Sequence, residues 1–283
     1  MIEINDLTFC YTRKKTILRD VNLNLPSGNV YGLLGKNGAG KSTLLKNIAG
    51  LLFPTDGECK VLDYRSKDRL PDFLREIYFI PEEFHLPALS IKRYVDIYSS
   101  FYPRFNKDQF SGYLEEYQLQ PSEKLTALSY GQKKKIIIGF GLATNCALLI
   151  MDEPTNGLDI PSKSQFRKIV ASSVTEDRSF IISTHQVRDV ESLIDPIIIL
   201  DEGEIIFNQY FEQVSKKLSF EVTPQKMNDD DILFSQSILG GYSVVMENKT
   251  GIETEADLEV LFNTIISDPK RINQIFEDTD NEN

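Results

Sequence analysis

The chain has 283 residues, 41% of them hydrophobic and 26% charged, and its 31 Lys and Arg against 42 Asp and Glu give a net charge of −11. That length supports one large domain, or a large one with a small one, around a well-buried core. The negative balance repels phosphate backbones and argues against broad nucleic-acid binding, but it leaves room for a local nucleotide cradle. Cys10, Cys59 and Cys146 fit neither a zinc site nor a disulfide framework, and read as reduced thiols packed as small apolar groups. Residues 1–11 lack the basic region and long apolar run of a signal peptide. The apolar stretches at 136–143 and 197–200 are too short to cross a bilayer. A soluble chain is expected, with any membrane part supplied by another polypeptide.

In chain order, residues 2–9 alternate as a strand and a second strand follows around 17–25. A turn at 26–28 leads into NVYGLL, a short buried strand, then a glycine-rich loop and a helix over 42–49. The runs ALLIM (147–151), SFIIST (179–184) and PIIIL (196–200) are apolar throughout, as in parallel strands covered on both faces. Helical periodicity between them predicts an α/β fold. Residues 84–127, rich in Tyr, Phe and Ser, read as a small helical insert whose aromatics form its own core. A break near Asn208 precedes an appended α+β unit over 209–276: helix 210–218, strand 219–224, helix 228–239, strand 241–248 and helix 253–266. The last helix is expected to open on a capping box of Thr254 and Asp257, with Leu258, Leu261, Phe262, Ile265 and Ile266 on one face. Residues 277–283 read as a disordered acidic tail.

Three segments carry chemistry. Residues 35–43 read GKNGAGKST, the G-x-x-x-x-G-K-[ST] phosphate loop, after a strand and before a helix. Gly35, Lys36, Asn37, Gly38, Ala39 and Gly40 turn backbone N–H groups toward phosphate oxygens, and the helix N-terminus adds its positive end. Lys41 reaches the β- and γ-phosphates, and Ser42, next to Thr43, offers its hydroxyl to Mg²⁺. The strand in LLIMDEPTNGLD (148–159) ends on Asp152, placed to hold Mg²⁺ through water, and Glu153, placed to orient or deprotonate the attacking water. His185 ends the next strand and is a candidate γ-phosphate contact; His85 has no such context. Lys133, Lys134 and Lys135 read as a solvated helix face.

Over residues 2–208 these motifs, in their order, resemble the ATP-binding subunit of an ABC transporter. LSYGQ at 128–132 is similar to the family's signature, usually LSGGQ, and 157–159 to its D-loop. The resemblance implies an α/β P-loop ATPase core over 1–208, with an N-terminal antiparallel β subdomain and the helical insert. It implies that Tyr11 stacks on adenine and that Ser129, Gly131, Gln132 and Asp159 meet an ATP held by a second ATP-binding subunit, the same chain or a different one. It further implies ATP hydrolysis, a transmembrane permease as partner, and a position in the cytoplasm on the inner face of the membrane. The extension after 208 is similar to those of subunits paired with exporter-type permeases. A non-transport relative acting in translation or DNA repair is the alternative, disfavoured by the single ATP-binding domain, the lack of a long coiled-coil insert and the charge. A protein that binds ATP without turnover is disfavoured by Glu153 and His185. Two departures stand out: Tyr130 replaces the signature's glycine, and Glu82 stands where the family places a Mg²⁺-touching glutamine, which predicts altered Mg²⁺ dependence or coupling.

Overall fold

The computed structural model describes residues 1–12, 15–226 and 231–277. Its centre is a six-stranded sheet in the order β10-β9-β3-β8-β7-β6. The five strands β3 (Val30–Leu34), β6 (Ile77–Ile80), β7 (Leu148–Asp152), β8 (Ser179–Thr184) and β9 (Ile197–Asp201) are parallel, and β10 (Glu204–Gln209) closes one edge antiparallel. β3, β7 and β8 are buried at every position, which explains their unbroken apolar runs. Period-two alternation still divides the two faces: Leu148 and Ile150 point into one core, Leu149 and Met151 into the other.

The first core lies under an antiparallel sheet, β2-β1-β4-β5, formed by β1 (Ile2–Thr12), β2 (Lys15–Leu25), β4 (Asp56–Val61) and β5 (Tyr64–Arg65), together with α1 (Lys41–Ile48). The short α2 (Pro71–Arg75) leads back into β6. The second core holds the insert helices α3 (Ile91–Tyr98) and α4 (Lys107–Glu116), the long α5 (Tyr130–Ala143) and α6 (Ile160–Ala171). Most of the insert's aromatics are core: Tyr94, Phe110, Tyr113 and Tyr117 are buried, and Phe140 of α5 lies 5.3 Å from Tyr94 and 4.9 Å from Phe105, ring centre to ring centre, whereas Tyr98 and Phe101 are exposed. Cys59 and Cys146 are buried free thiols and Cys10 is partly buried; burial pushes the Cys59 thiol up to about 12.

Beyond β10, α7 (Phe211–Lys217) leads to a three-stranded antiparallel sheet, β11-β13-β12, of β11 (Leu218–Thr223), β12 (Ile232–Ile238) and β13 (Gly241–Glu247). α8 (Leu258–Ser267) and α9 (Pro269–Glu277) follow and join the second core. Two expectations fail here. The helix expected over 228–239 is strand β12 where it is described; residues 228–230 lie outside the described residues. Gly240, at φ 89, turns β12 onto β13 with Ile238 opposite Gly241, so a hairpin takes a segment whose composition suited a helix. The expected capping box also dissolves. Asp257 itself caps α8, accepting from Glu259 N and Val260 N, while the Thr254 hydroxyl accepts from Phe220 N. Of the expected acidic tail, residues 278–283 lie outside the described residues.

Candidate functional site

β3, β7 and β8 are neighbours in the central sheet, so their carboxyl ends bring three segments to one edge. After β3 the chain turns through Gly38 (φ 85) and Gly40 (φ 111), the second of which directly precedes α1. A Cβ on Gly35 would stand 2.4 Å from the Leu200 carbonyl oxygen, so only glycine lets the loop lie against β9. Lys41 is buried, and its Nζ donates to Gly35 O at 2.7 Å and Lys36 O at 3.3 Å, folding the side chain back along the loop.

At the end of β7, Asp152 is buried and its Oδ1 accepts from Ser183 Oγ at 2.6 Å. Glu153 takes the left-handed conformation, φ 47, which costs a non-glycine residue about 1–2 kcal/mol. Its neighbours hold it there. Glu153 N donates to Ser183 O and Oγ, both at 3.1 Å. Its Oε1 lies 2.8 Å from His185 Nδ1 and 3.5 Å from Lys41 Nζ. Lys41, Glu153 and His185 thus converge from three segments.

They line a cavity of about 650 Å³ with Tyr11, Lys36, Asn37, Gly38, Gly40, Ser42, Thr43 and Glu82. Lys15, Ile17 and Asn156 also line it. Sequence reasoning missed these three, because their place depends on tertiary approach. Tyr11 stands at the mouth, 54% exposed, packed edge-on against Phe9, with its hydroxyl 3.4 Å from Thr43 Oγ1. Glu82 Oε1 accepts from Asn156 Nδ2 at 2.9 Å. Ala39 and Asp152 are buried and are not part of the lining.

The remaining candidates lie elsewhere. Ser129, Gly131, Gln132 and Asp159 are not part of the cavity's lining. Ser129 caps α5: its hydroxyl accepts from Gln132 N at 3.2 Å, and Gln132 Oε1 accepts from Ser129 N at 2.9 Å, a complete capping box. Asp159 caps α6 by accepting from Ser162 N, and its hydrogen bonds with Ser162 hold the carboxyl below the usual range.

Comparison with known proteins gives this arrangement its context. The family model described as ABC transporter matches residues 18–156. The lantibiotic transport ATP-binding protein SrtF of Streptococcus pyogenes is 35% identical over 221 residues, which is 75% of this chain and 92% of that protein. The chain belongs to the ABC transporter ATP-binding proteins. The bacitracin transport ATP-binding protein BcrA of Bacillus licheniformis is 30% identical over 80% of this chain and 76% of that one. A solved ATP-binding subunit of an ABC transporter superposes with a TM-score of 0.69 at 27% identity, over 76% of this chain and 91% of that one. As an ABC ATP-binding subunit the chain binds and hydrolyses ATP, on an α/β fold with an antiparallel β subdomain. No helix among the described residues is long and apolar enough to cross a membrane.

Two features of this ABC subunit correct or complete the sequence reading. Lys134 is no solvated lysine: it is 0% exposed, and its Nζ donates to Glu153 O at 2.6 Å and Asn156 O at 3.0 Å. Burial lowers its pKa from 10.5 to about 8, against the pull of Glu82, Glu153 and Asp152. It lies one helical turn from Tyr130, on the inward face of α5, which a run of three lysines conceals. Tyr130, the residue that departs from the family signature, is 45% exposed and joins two loops, the one after β6 and the one after β7. Its hydroxyl donates to Glu82 O at 2.9 Å, its ring stacks on Phe84 at 5.5 Å, and it covers Gly157 so closely that a Cβ there would lie 2.8 Å from its Cε1.

Proposed function

We propose that this chain is the ATP-hydrolysing motor of an exporter, closing head to tail with a second ATP-binding subunit around two ATP molecules and driving a separate transmembrane permease. The second subunit is another copy of this chain in the simplest assembly. One observation carries the reading: the capped start of α5, with Ser129 and Gly131, lies outside the cavity that Lys41, Glu153 and His185 line. A γ-phosphate held by Lys41 would therefore meet a signature segment only from another chain. Its contacts would differ between open and closed pairs, and that difference lets a ligand drive a switch.

Within the cavity, Tyr11 would stack on the adenine and Lys41 would pair with the β- and γ-phosphates. Glu153 would orient the attacking water and take its proton, and His185 would hold Glu153 and meet the γ-phosphate. Mg²⁺, which takes oxygen ligands, suits the Ser42 hydroxyl, the buried Asp152 carboxylate and the Glu82 carboxylate on the lining; when bound it would neutralise charge between the β- and γ-phosphates. A groove of about 660 Å³ between β6 and the helical insert, lined by Leu74, Tyr78, Tyr98, Phe101 and Tyr102, offers the permease an apolar seat. Export is favoured by the likeness to subunits named for lantibiotic and bacitracin transport. The chain would then work on the inner face of the membrane, held there by the permease. Sedimentation tests the reading: Glu153→Gln should form a dimer in ATP and stay a monomer in ADP. A variant that stays monomeric in ATP, alone and with the permease, would count against it.

A further inference from the structure

A lysine in a core usually has a carboxylate partner, because a buried ammonium is costly to desolvate. Lys134 donates instead to two main-chain carbonyls, Glu153 O and Asn156 O. These belong to the first and last residues of one turn, closed by Asn156 N donating to Glu153 O at 3.2 Å. The same helix buries Ile136, Ile137 and Ile138, so an apolar side chain would suit its inward face. A cation kept there needs a reason beyond packing.

Glu153 supplies one. A non-glycine residue at φ 47 persists only where its surroundings over-determine it. Its N–H is fixed by Ser183 and its carboxylate by His185, which leaves the carbonyl. We propose that Lys134 is a positioning residue for Glu153, clamping the turn that follows β7 so that the carboxylate stays aimed at Lys41 and His185. This rests on the reading of Glu153 as the group that orients water. The clamp also ties the cavity to the start of the chain's own signature helix. Tyr130, one turn earlier, reaches the Glu82 loop in the same way.

The test compares Lys134→Met, Lys134→Gln, Glu153→Gln and the Lys134→Met/Glu153→Gln double variant in the full-length chain. ATPase kinetics, affinity for a non-hydrolysable ATP analogue and thermal melting are read for each. Lys134→Met should lower kcat about tenfold or more, while KM and analogue affinity stay within about twofold. Lys134→Gln, which still donates N–H bonds, should recover part of the rate. The double variant should be no slower than Glu153→Gln, because Lys134 acts only through Glu153. If Lys134→Met does not fold, Lys134→Gln and its double variant are read on the same measurements. Wild-type turnover in the Lys134 variants, rate losses that multiply in the double variant, or analogue affinity falling in step with kcat would each overturn the proposal. Glu153→Gln hydrolysing at the wild-type rate would sink the reading of Glu153 instead, whatever the Lys134 variants do.

Discussion

Replacing Lys134 by methionine sets two opposed free-energy terms against each other. The drop in the lysine's pKa from 10.5 to about 8 is a folded-state cost of about 3 kcal/mol at neutral pH. Methionine removes that cost but leaves Asn156 O without its lysine donor, at about 1–3 kcal/mol, while Glu153 O keeps the bond from Asn156 N. Near pH 7 the terms largely offset, so Lys134→Met should change stability little. Raising the pH separates them. Between about pH 8 and pH 10.5 the unfolded chain holds a proton that the folded chain has shed, so the lysine's contribution rises with pH and is lost again as pH falls toward 8. From about pH 7 to about pH 9.5 the wild type should gain about 2 kcal/mol over Lys134→Met, since the other titrating groups are common to both. Urea unfolding of the two proteins without Mg²⁺, at constant ionic strength across that range, measures it. A stability difference that stays constant across the range would refute the buried, charged assignment of Lys134.

Two further perturbations probe the loops around Tyr130. Gly157→Ala should cost about 1–3 kcal/mol, because its φ of 76 suits glycine and the new Cβ would stand 2.8 Å from the Tyr130 ring. Urea unfolding should return part of that loss in the Gly157→Ala/Tyr130→Ala double variant; equal losses in both backgrounds would remove the contact from the account. Glu82→Gln keeps an acceptor for Asn156 Nδ2 but loses a negative charge on the cavity lining. The Mg²⁺ concentration for half-maximal ATPase should rise, by roughly two- to tenfold. An unchanged Mg²⁺ titration with an unchanged rate would show that Glu82 does not reach the metal.

What could be read from sequence follows how local each determinant is. The phosphate loop is legible because its glycines and its strand–loop–helix setting are set by backbone demands within nine residues. The central strands are legible because burial on both faces leaves unbroken apolar runs. Lys134 was hidden because a buried cation is a tertiary fact, decided by two carbonyls 19 and 22 residues away. Its one local clue was its spacing from Tyr130 on the face that continues as Ile137 and Ile138. β12 was misread because the acids ahead of it mimic a helix start, although Gly240-Gly241 was a hairpin signal in plain view. The departures at Tyr130 and Glu82 were visible as letters. Only packing showed that they contact each other.

In the proposed assembly each ATP site is completed by the signature segment of another chain, and mixing two variant subunits probes that sharing. On the proposed reading Lys41→Ala should abolish phosphate binding in its own cavity and Ser129→Arg should block the signature surface, so each variant alone should be inactive. Mixed in equal amounts, half of the pairs carry one intact composite site, and ATPase activity should return to about a quarter of the wild-type rate. A mixture as inactive as its two components would contradict the shared site.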